Sequence, residues 1–280
     1  CIRDSHEVNQ NGAYVTFDIS GERAVVIRGA DEQVRAFHNL CRHRGSRVVP
    51  DARGVCNKAM ICPYHGWAYN LDGSLRGIAN KDTFPPMQAE KWGLKPLEME
   101  VWNGLIFIRF QPGPQPAVAE VLGRFDDEIA PYDLANMVPA TSNSFSETIP
   151  VNWKSVRDVD NEGYHVRQAH PGLHQLYGNG YFDEPFENGT SRSVGTFNEA
   201  YGHRWSVRKY REILPDAMHL PKQQQRQWIY FGMFPNFVLG LYPDSIIFYQ
   251  ELPQSATKTL QRGVCYRKPD ESRQTKVSRY

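Results

Sequence analysis

The chain has no apolar run of membrane-spanning length. Its most apolar stretches, residues 105–110 and 237–242, are strand-sized. It has almost no net charge. Thirty-two Lys and Arg against 31 Asp and Glu leave a formal +1, so composition gives no reason to expect nucleic acid or an anionic membrane as partner. It lacks a G-x-G-x-x-G fingerprint, so any flavin or nicotinamide chemistry is expected on another protein. No internal repeat, low-complexity tract or signal peptide is visible, although the chain begins abruptly at Cys1. Cysteine is scarce and odd in number. Five residues suit free thiols in a reducing cytoplasm better than a disulfide scaffold. Cys56, in G-V-C-N-K with no neighbouring His, reads as a structural thiol, and Cys1 and Cys265 are also left unassigned.

What is present is a substantial apolar fraction, 40% of 280 residues, enough for one or two domains with real cores. Residues 12–110 read as almost entirely β. Runs at 14–19, 24–28 and 34–38 are punctuated by Ser20-Gly21 and Gly29-Ala30-Asp31, and Asp72-Gly73 and Asn103-Gly104 predict two-residue hairpin turns. The tract Q-P-G-P-Q-P at 111–116 predicts a boundary, giving domains 1–113 and 114–280. Beyond it, Val118, Val121, Leu122, Phe125 and Ile129 have helical spacing. Residues 143–150 read as extended and 151 to about 170 as helical. Residues 228–233, 236–242, 246–251 and 260–267 read as strands of a second sheet. The expected class is α+β: a small all-β domain, then an antiparallel sheet with helices.

Two short segments carry the metal chemistry. C-R-H-R-G supplies Cys41 and His43, and C-P-Y-H-G-W supplies Cys62 and His65. Four such ligands within 25 residues suit zinc or a [2Fe–2S] cluster in which two His replace two Cys on one iron. Each segment contributes one Cys and one His, whereas a zinc finger places its Cys pair first and its His pair on a helix. The order therefore favours the cluster over zinc and over unliganded core residues. Gly45 and Gly66 are expected to let backbone pass close to the cluster, and Tyr64 and Trp67 to shield its sulfurs.

A second constellation spans 158–171, D-V-D-N-E-G-Y-H-V-R-Q-A-H-P. His165 and His170 are five apart, roughly 140° around a regular helix, and share a metal only if the helix is irregular there. Two imidazoles with a carboxylate form the facial triad of non-heme Fe(II) oxygenases. Taken together, N-x-C-R-H-R-G (39–45), C-P-Y-H-G-W (62–67), N-W-K (152–154) and E-x-Y-H-x4-H-P (162–171) resemble the catalytic α subunit of Rieske non-heme iron oxygenases across both domains.

The resemblance implies several roles. Cys41, His43, Cys62 and His65 would hold the [2Fe–2S] cluster, and His165 and His170 a mononuclear Fe(II). Glu162 would be the carboxylate linking that iron's His to a cluster His of the adjacent subunit. Ring-hydroxylating members usually carry Asp there, with Asp158 and Asp160 as alternative carboxylates in this chain. The third iron ligand is expected beyond Tyr280. Asp244, Asp270 and Glu271 are in-chain candidates, none of them assigned. His174 and His203 read as structural. The run 158–177 is most similar to proline-betaine and related quaternary-ammonium demethylases, which implies hydroxylation of an N-methyl group. Aromatic-ring dihydroxylation is the alternative, and a pure Rieske electron carrier the alternative of another class. The implied partners are O2, an NAD(P)H-dependent flavin/iron–sulfur reductase, and two further copies in a head-to-tail homotrimer. Most of the many aromatics from Trp153 to Phe234 are expected in the core, a few lining a substrate pocket.

Overall fold

The computed structural model describes residues 3–200, 202–214 and 216–269; Cys1, Tyr201, Asp270 and Glu271 fall outside the described residues. The chain divides into two compact units, Cys1–Ala117 and Val118–Tyr280. The first extends past the proline-rich tract because Arg109 reaches back to the carbonyls of Gln115 and Pro116.

The first unit contains β1 (Arg3–Asp4), β2 (Ala13–Ile19), β3 (Glu22–Arg28), β4 (Val34–His38), β5 (Arg53–Val55), β6 (Met60–Ile61), β7 (Ala68–Tyr69), β8 (Leu75–Gly77), β9 (Glu98–Trp102) and β10 (Leu105–Arg109). They form three sheets in the orders β4-β3-β2-β5, β6-β7-β8 and β1-β10-β9. Val25, Val26 and Ile27 of β3 are wholly buried, each contributing roughly 1.5–3 kcal/mol of transfer free energy. Asn103-Gly104 makes the expected two-residue hairpin turn, and Ser20-Gly21, expected as a turn, makes one as well, with both residues of each at positive φ. Asp72-Gly73 does not. Asn70 N–H donates to the Ser74 carbonyl, and the Asp72 carboxylate accepts from the Ser74 N–H and hydroxyl, so the loop is longer and β8 shifts register against β7.

The second unit opens with α1 (Val118–Leu122) and α2 (Asp126–Ile129), which a 3-10 turn at Gly123–Phe125 separates. The expected continuous helix is thus broken where Phe125 turns inward to stack on Phe231, ring centroids 4.3 Å apart. Then come β11 (Val138–Ile149), α3 (Trp153–Asp160), α4 (Val166–Ala169), α5 (Pro171–Tyr177), β12 (Tyr181–Pro185), β13 (Thr190–Thr196), α6 (Trp205–Ile213), β14 (Gln227–Met233), β15 (Phe237–Tyr242), β16 (Ser245–Ser255) and β17 (Lys258–Arg267). The strands form one antiparallel sheet, β11-β17-β16-β15-β14-β13-β12. β12 and β13 escape a pattern reading because Y-F-D-E-P and T-S-R-S-V-G-T hardly alternate; β13 pairing with β14, and β12 with β13, makes them strands.

Tyr177, Phe197 and Phe231 are core, but Phe182, Trp205 and Phe234 are exposed, so fewer aromatics lie inside than composition suggests. Among the described residues no helix is long and apolar enough to cross a membrane.

Candidate metal centres

The two Cys/His segments of the first unit fold into the same turn. Cys41 N–H donates to the Ser46 carbonyl (2.7 Å), and the Cys41 carbonyl accepts from Gly45 N–H (2.9 Å). Cys62 repeats this with Trp67 (2.8 Å) and Gly66 (3.0 Å). Gly45 and Gly66 sit at φ 67° and 70°. No protein atom crowds the Gly45 position, and only the Ala79 methyl approaches Gly66, so backbone conformation is what demands glycine at both. His is the second residue after Cys in one turn and the third in the other, and both imidazoles reach one side, ring centroids 4.6 Å apart. Buried Asn39 braces the first turn: its side chain accepts from Val48 N–H (2.9 Å) and Val49 N–H (3.1 Å) and donates to the Val49 carbonyl (2.8 Å).

The donors form a thiol pair and an imidazole pair. Cys41 and Cys62 are buried, and burial, with Cys62 nearby, pushes the Cys41 thiol up. His43 stacks flat on buried Trp67 at 5.3 Å, and its Nδ1 is buried without a hydrogen-bond partner. A buried imidazole nitrogen in that state is costly unless a metal takes its lone pair, so the donor set fits a [2Fe–2S] cluster. Among the described residues no three His, Cys, Asp or Glu side chains converge on one ion.

Tyr64 is 57% exposed and packs over His65 at 3.8 Å, so the expected shielding of the sulfurs rests on Trp67 alone. Tyr69, which the sequence reading passed over, lies closer to the chemistry. Its oxygen accepts the Arg42 N–H at 2.9 Å, which leaves the hydroxyl proton for Cys41 Sγ at 3.3 Å. Its only sequence signal was a tyrosine two residues after Trp67. Cys56 is half-buried at the edge of the same core, and burial raises its thiol as well.

In the second unit, Asn152 of N-W-K caps α3. Its side chain accepts from Lys154 N–H (2.9 Å) and donates to the Ala256 carbonyl (2.8 Å). The predicted helix to about residue 170 is not continuous. α3 stops at Asp160, and α4 is a single turn between His165 and His170. His170 leaves the helix at φ −122°, ψ 67°, ahead of Pro171, and this break brings the two imidazoles to 5.1 Å between centroids. No π-turn is involved.

Glu162 Oε1 accepts from His165 Nδ1 at 2.7 Å, which fixes the tautomer and frees Nε2 as a lone-pair donor. Oε2 accepts from the Tyr164 and His165 N–H groups. The His165 hydrogen bond holds the Glu162 carboxyl below its ordinary range, so it is ionised at neutral pH. Asp183 of β12 braces the loop: one oxygen accepts Gly163 N–H (2.7 Å), the other the hydroxyls of Tyr181 (2.8 Å) and Ser193 (2.7 Å). A Cβ at Gly163 would collide with the Tyr181 ring. Asp183 and Tyr181 were invisible in sequence because they lie about twenty residues away on a strand that pattern did not predict.

Asp158 is exposed on α3, and Asp244 lies in the two-residue turn between β15 and β16. Asp160 turns inward, beside buried Arg157 and Glu251 of β16. Burial, then the neighbouring Asp160 carboxylate, raises the Glu251 carboxyl to about 8. The folded chain therefore keeps a proton that the unfolded chain releases above its ordinary value of 4.5. The resulting stabilisation is complete below pH 4.5 and is lost as pH rises to about 8. Denaturant melts across that window should show a decline on the order of a few kcal/mol that Glu251→Gln flattens. Parallel curves for the two proteins would contradict a raised Glu251.

Residues 131–280 match the family described as ring hydroxylating alpha subunit (catalytic domain), and residues 1–90 match the Rieske [2Fe–2S] domain. The chain is 38% identical over 167 residues, 60% of its length, to a glycine betaine monooxygenase oxygenase subunit of Pseudomonas aeruginosa. It is 34% identical over 177 residues, 62% of its length, to a carnitine monooxygenase oxygenase subunit of Escherichia coli. The matched stretch is 38% of the first relative and 46% of the second, so the chain spans less than half of either. The crystal structure of the quaternary ammonium Rieske monooxygenase CntA with L-carnitine superposes over 99% of this chain and 71% of its own, at TM-score 0.77 and 25% identity. A Rhodococcus naphthalene 1,2-dioxygenase bound to indole shares the fold over 99% of this chain and 69% of its own, at TM-score 0.79 and 20% identity. With its first ninety residues on the cluster-binding domain and more than half its length on the catalytic one, the chain belongs to the Rieske oxygenase α-subunit family.

Proposed function

We propose that this protein is the oxygenase component of a two-component system that hydroxylates an N-methyl group of a quaternary ammonium compound. The observation that carries the reading is the His165–His170 pair, 5.1 Å apart, with Nδ1 of His165 committed to Glu162, on a chain that also has a Rieske domain. Cys41, His43, Cys62 and His65 would hold the cluster, and His165 and His170 the mononuclear iron. The bound metals supply single-electron transfer and O2 activation.

The protein's own contribution is orientation and charge. Glu162 holds the His165 ring through Nδ1 and keeps Nε2 unprotonated. A carboxylate offers about four acceptor positions. Three are used within the loop, by the Tyr164 and His165 amides and the imidazole, and the side chain is 42% exposed. One position therefore remains for the imidazole N–H of a cluster His from an adjacent subunit. The extra methylene of Glu over Asp lets the carboxylate fold back onto its own backbone and still present that position.

The reaction consumes O2, two electrons and two protons, inserts one oxygen into a C–H bond of the N-methyl group and releases the other as water. The N-hydroxymethyl product then breaks its C–N bond to give formaldehyde, a tertiary amine and a proton. With no dinucleotide fingerprint in the chain, electrons come from a separate reductase. A head-to-tail homotrimer would bring cluster and iron together across subunits. None of Cys41, Cys56, Cys62 and Cys265 forms a disulfide, which suits a reducing cytoplasm.

Reductase-coupled O2 uptake with a panel of betaines and aromatic acids tests the reading. Formaldehyde in step with O2 is expected, whereas cis-diols from the aromatic acids would replace it with ring dihydroxylation. Metal analysis should return three irons and two acid-labile sulfides per chain; two of each would mark an electron carrier.

A further inference from the structure

A cleft of about 440 Å³ opens beside His170, within the range of small-molecule sites. Leu173 and Leu176 of α5, Val207 and Tyr210 of α6 and Trp228 of β14 wall it. Among the described lining residues there is no Asp or Glu, and the one permanent charge is Arg204, immediately before α6. No carboxylate pairs with its guanidinium among the described residues. A cation that lines an apolar, aromatic cleft without a counter-ion is a subsite for an anion.

The wall that carries it is rigid. Arg204 N–H donates to Gln175 Oε1 of α5 at 2.7 Å. Arg211, two turns further along α6, donates to the carbonyls of Leu176 (3.0 Å) and Asn198 (2.6 Å). The backbone of Arg204 is thereby tied to the helix that begins at Pro171, directly after His170. Trp228 Nε1 donates to the Tyr210 hydroxyl at 2.9 Å, and their rings meet edge-on at 5.7 Å, so the aromatic surface is also held in place. The cleft is lined by His170 of the proposed iron site, by fixed aromatic residues and by Arg204, whose guanidinium has no ion-pair partner among the described residues.

We propose that Arg204 binds the carboxylate of a zwitterionic substrate whose quaternary ammonium lies against Trp228 and Tyr210, so that the enzyme selects betaines over quaternary amines without an acid group. The proposal rests on the N-demethylation reading above and adds a specificity determinant to it. The aromatic faces attract the ammonium, and a bidentate guanidinium–carboxylate pair supplies the rest.

The test uses the metal-loaded, full-length enzyme, with calorimetric binding under anaerobic conditions beside reductase-coupled turnover. The probes are glycine betaine, choline, which lacks the carboxylate, and benzoate, which lacks the ammonium. Arg204→Gln is expected to weaken glycine betaine binding and raise its KM about 30-fold, equivalent to about 2 kcal/mol, with little change in kcat. Arg204→Lys should recover part of the loss. Choline should bind wild type and Arg204→Gln equally. An equal loss for both quaternary amines, or none for glycine betaine, would overturn the role of Arg204 and leave the demethylation reading standing. Benzoate binding that depends on Arg204, with no binding of either quaternary amine, would sink the demethylation reading and keep Arg204 as a carboxylate partner.

Discussion

His65→Ala and Cys62→Ser variants are expected to lose the visible chromophore, the Rieske-type paramagnetic signal on reduction, and all reductase-driven O2 consumption, while keeping the mononuclear iron. The two positions probe different hazards. Cys62 is 2% exposed inside the core that contains Cys41, Trp67 and Tyr69, so serine there also strains the fold. His65 is exposed at the tip of its turn, and alanine removes a ligand while disturbing little else. The Gly66-to-Cys62 and Cys62-to-Trp67 hydrogen bonds that shape the turn are backbone bonds, and alanine at 65 keeps them. A folded His65→Ala protein with one iron and no acid-labile sulfide is therefore the expected outcome, because a two-iron cluster with one iron short of a ligand does not persist. An unchanged chromophore in that variant would remove His65 from the ligand set. Stoichiometric zinc in colourless wild-type protein would remove the cluster itself.

Glu162→Gln is expected to keep both metals and lose coupled turnover, by about 100-fold, the upper end of what partners of metal ligands contribute. The amide oxygen of Gln is still able to accept from His165 Nδ1, so the iron site keeps its shape. What disappears is the negative charge, which the low-lying Glu162 carboxyl retains at neutral pH. Reduction of a bound cluster would make its imidazoles more basic. An anionic Glu162 placed between imidazoles would couple that change to His165, and a neutral amide would not. The informative readout is single turnover. The reduced cluster of the variant should stay reduced in the presence of substrate and O2, and Glu162→Asp should recover part of the rate. Iron loss from Glu162→Gln would make the residue a structural brace of His165, and normal turnover would dismiss both roles.

Much of this centre was legible along the chain. The two Cys/His pairs, the glycines that follow each His, and the hairpin turns at Ser20-Gly21 and Asn103-Gly104 are local signals whose meaning survives without the fold. The N-W-K motif turned out to contain a helix cap. Other features were illegible for a physical reason. Tyr64 and Tyr69 flank the same Trp in sequence, yet one lies open to solvent and the other beside Cys41 Sγ. The turn at Gly66 and the pairing of β7 with β6 and β8 decide which faces inward. Asp183 gave no sign of bracing the Glu162 loop, because its strand forms only by pairing with β13.

The sequence by itself determined which Cys and His residues are candidate ligands, their grouping into two constellations and the proline-rich tract between them, since each follows from the chemistry of neighbouring residues. Tertiary structure alone decided that His165 and His170 meet, that Glu251 is buried against Asp160 and Arg157, and that Arg204 lines the cleft beside His170 with no counter-ion among the described residues. Those outcomes depend on where a helix breaks and on which distant strand or helix packs behind it. Both are settled by long-range burial of apolar surface, which no short window of sequence contains.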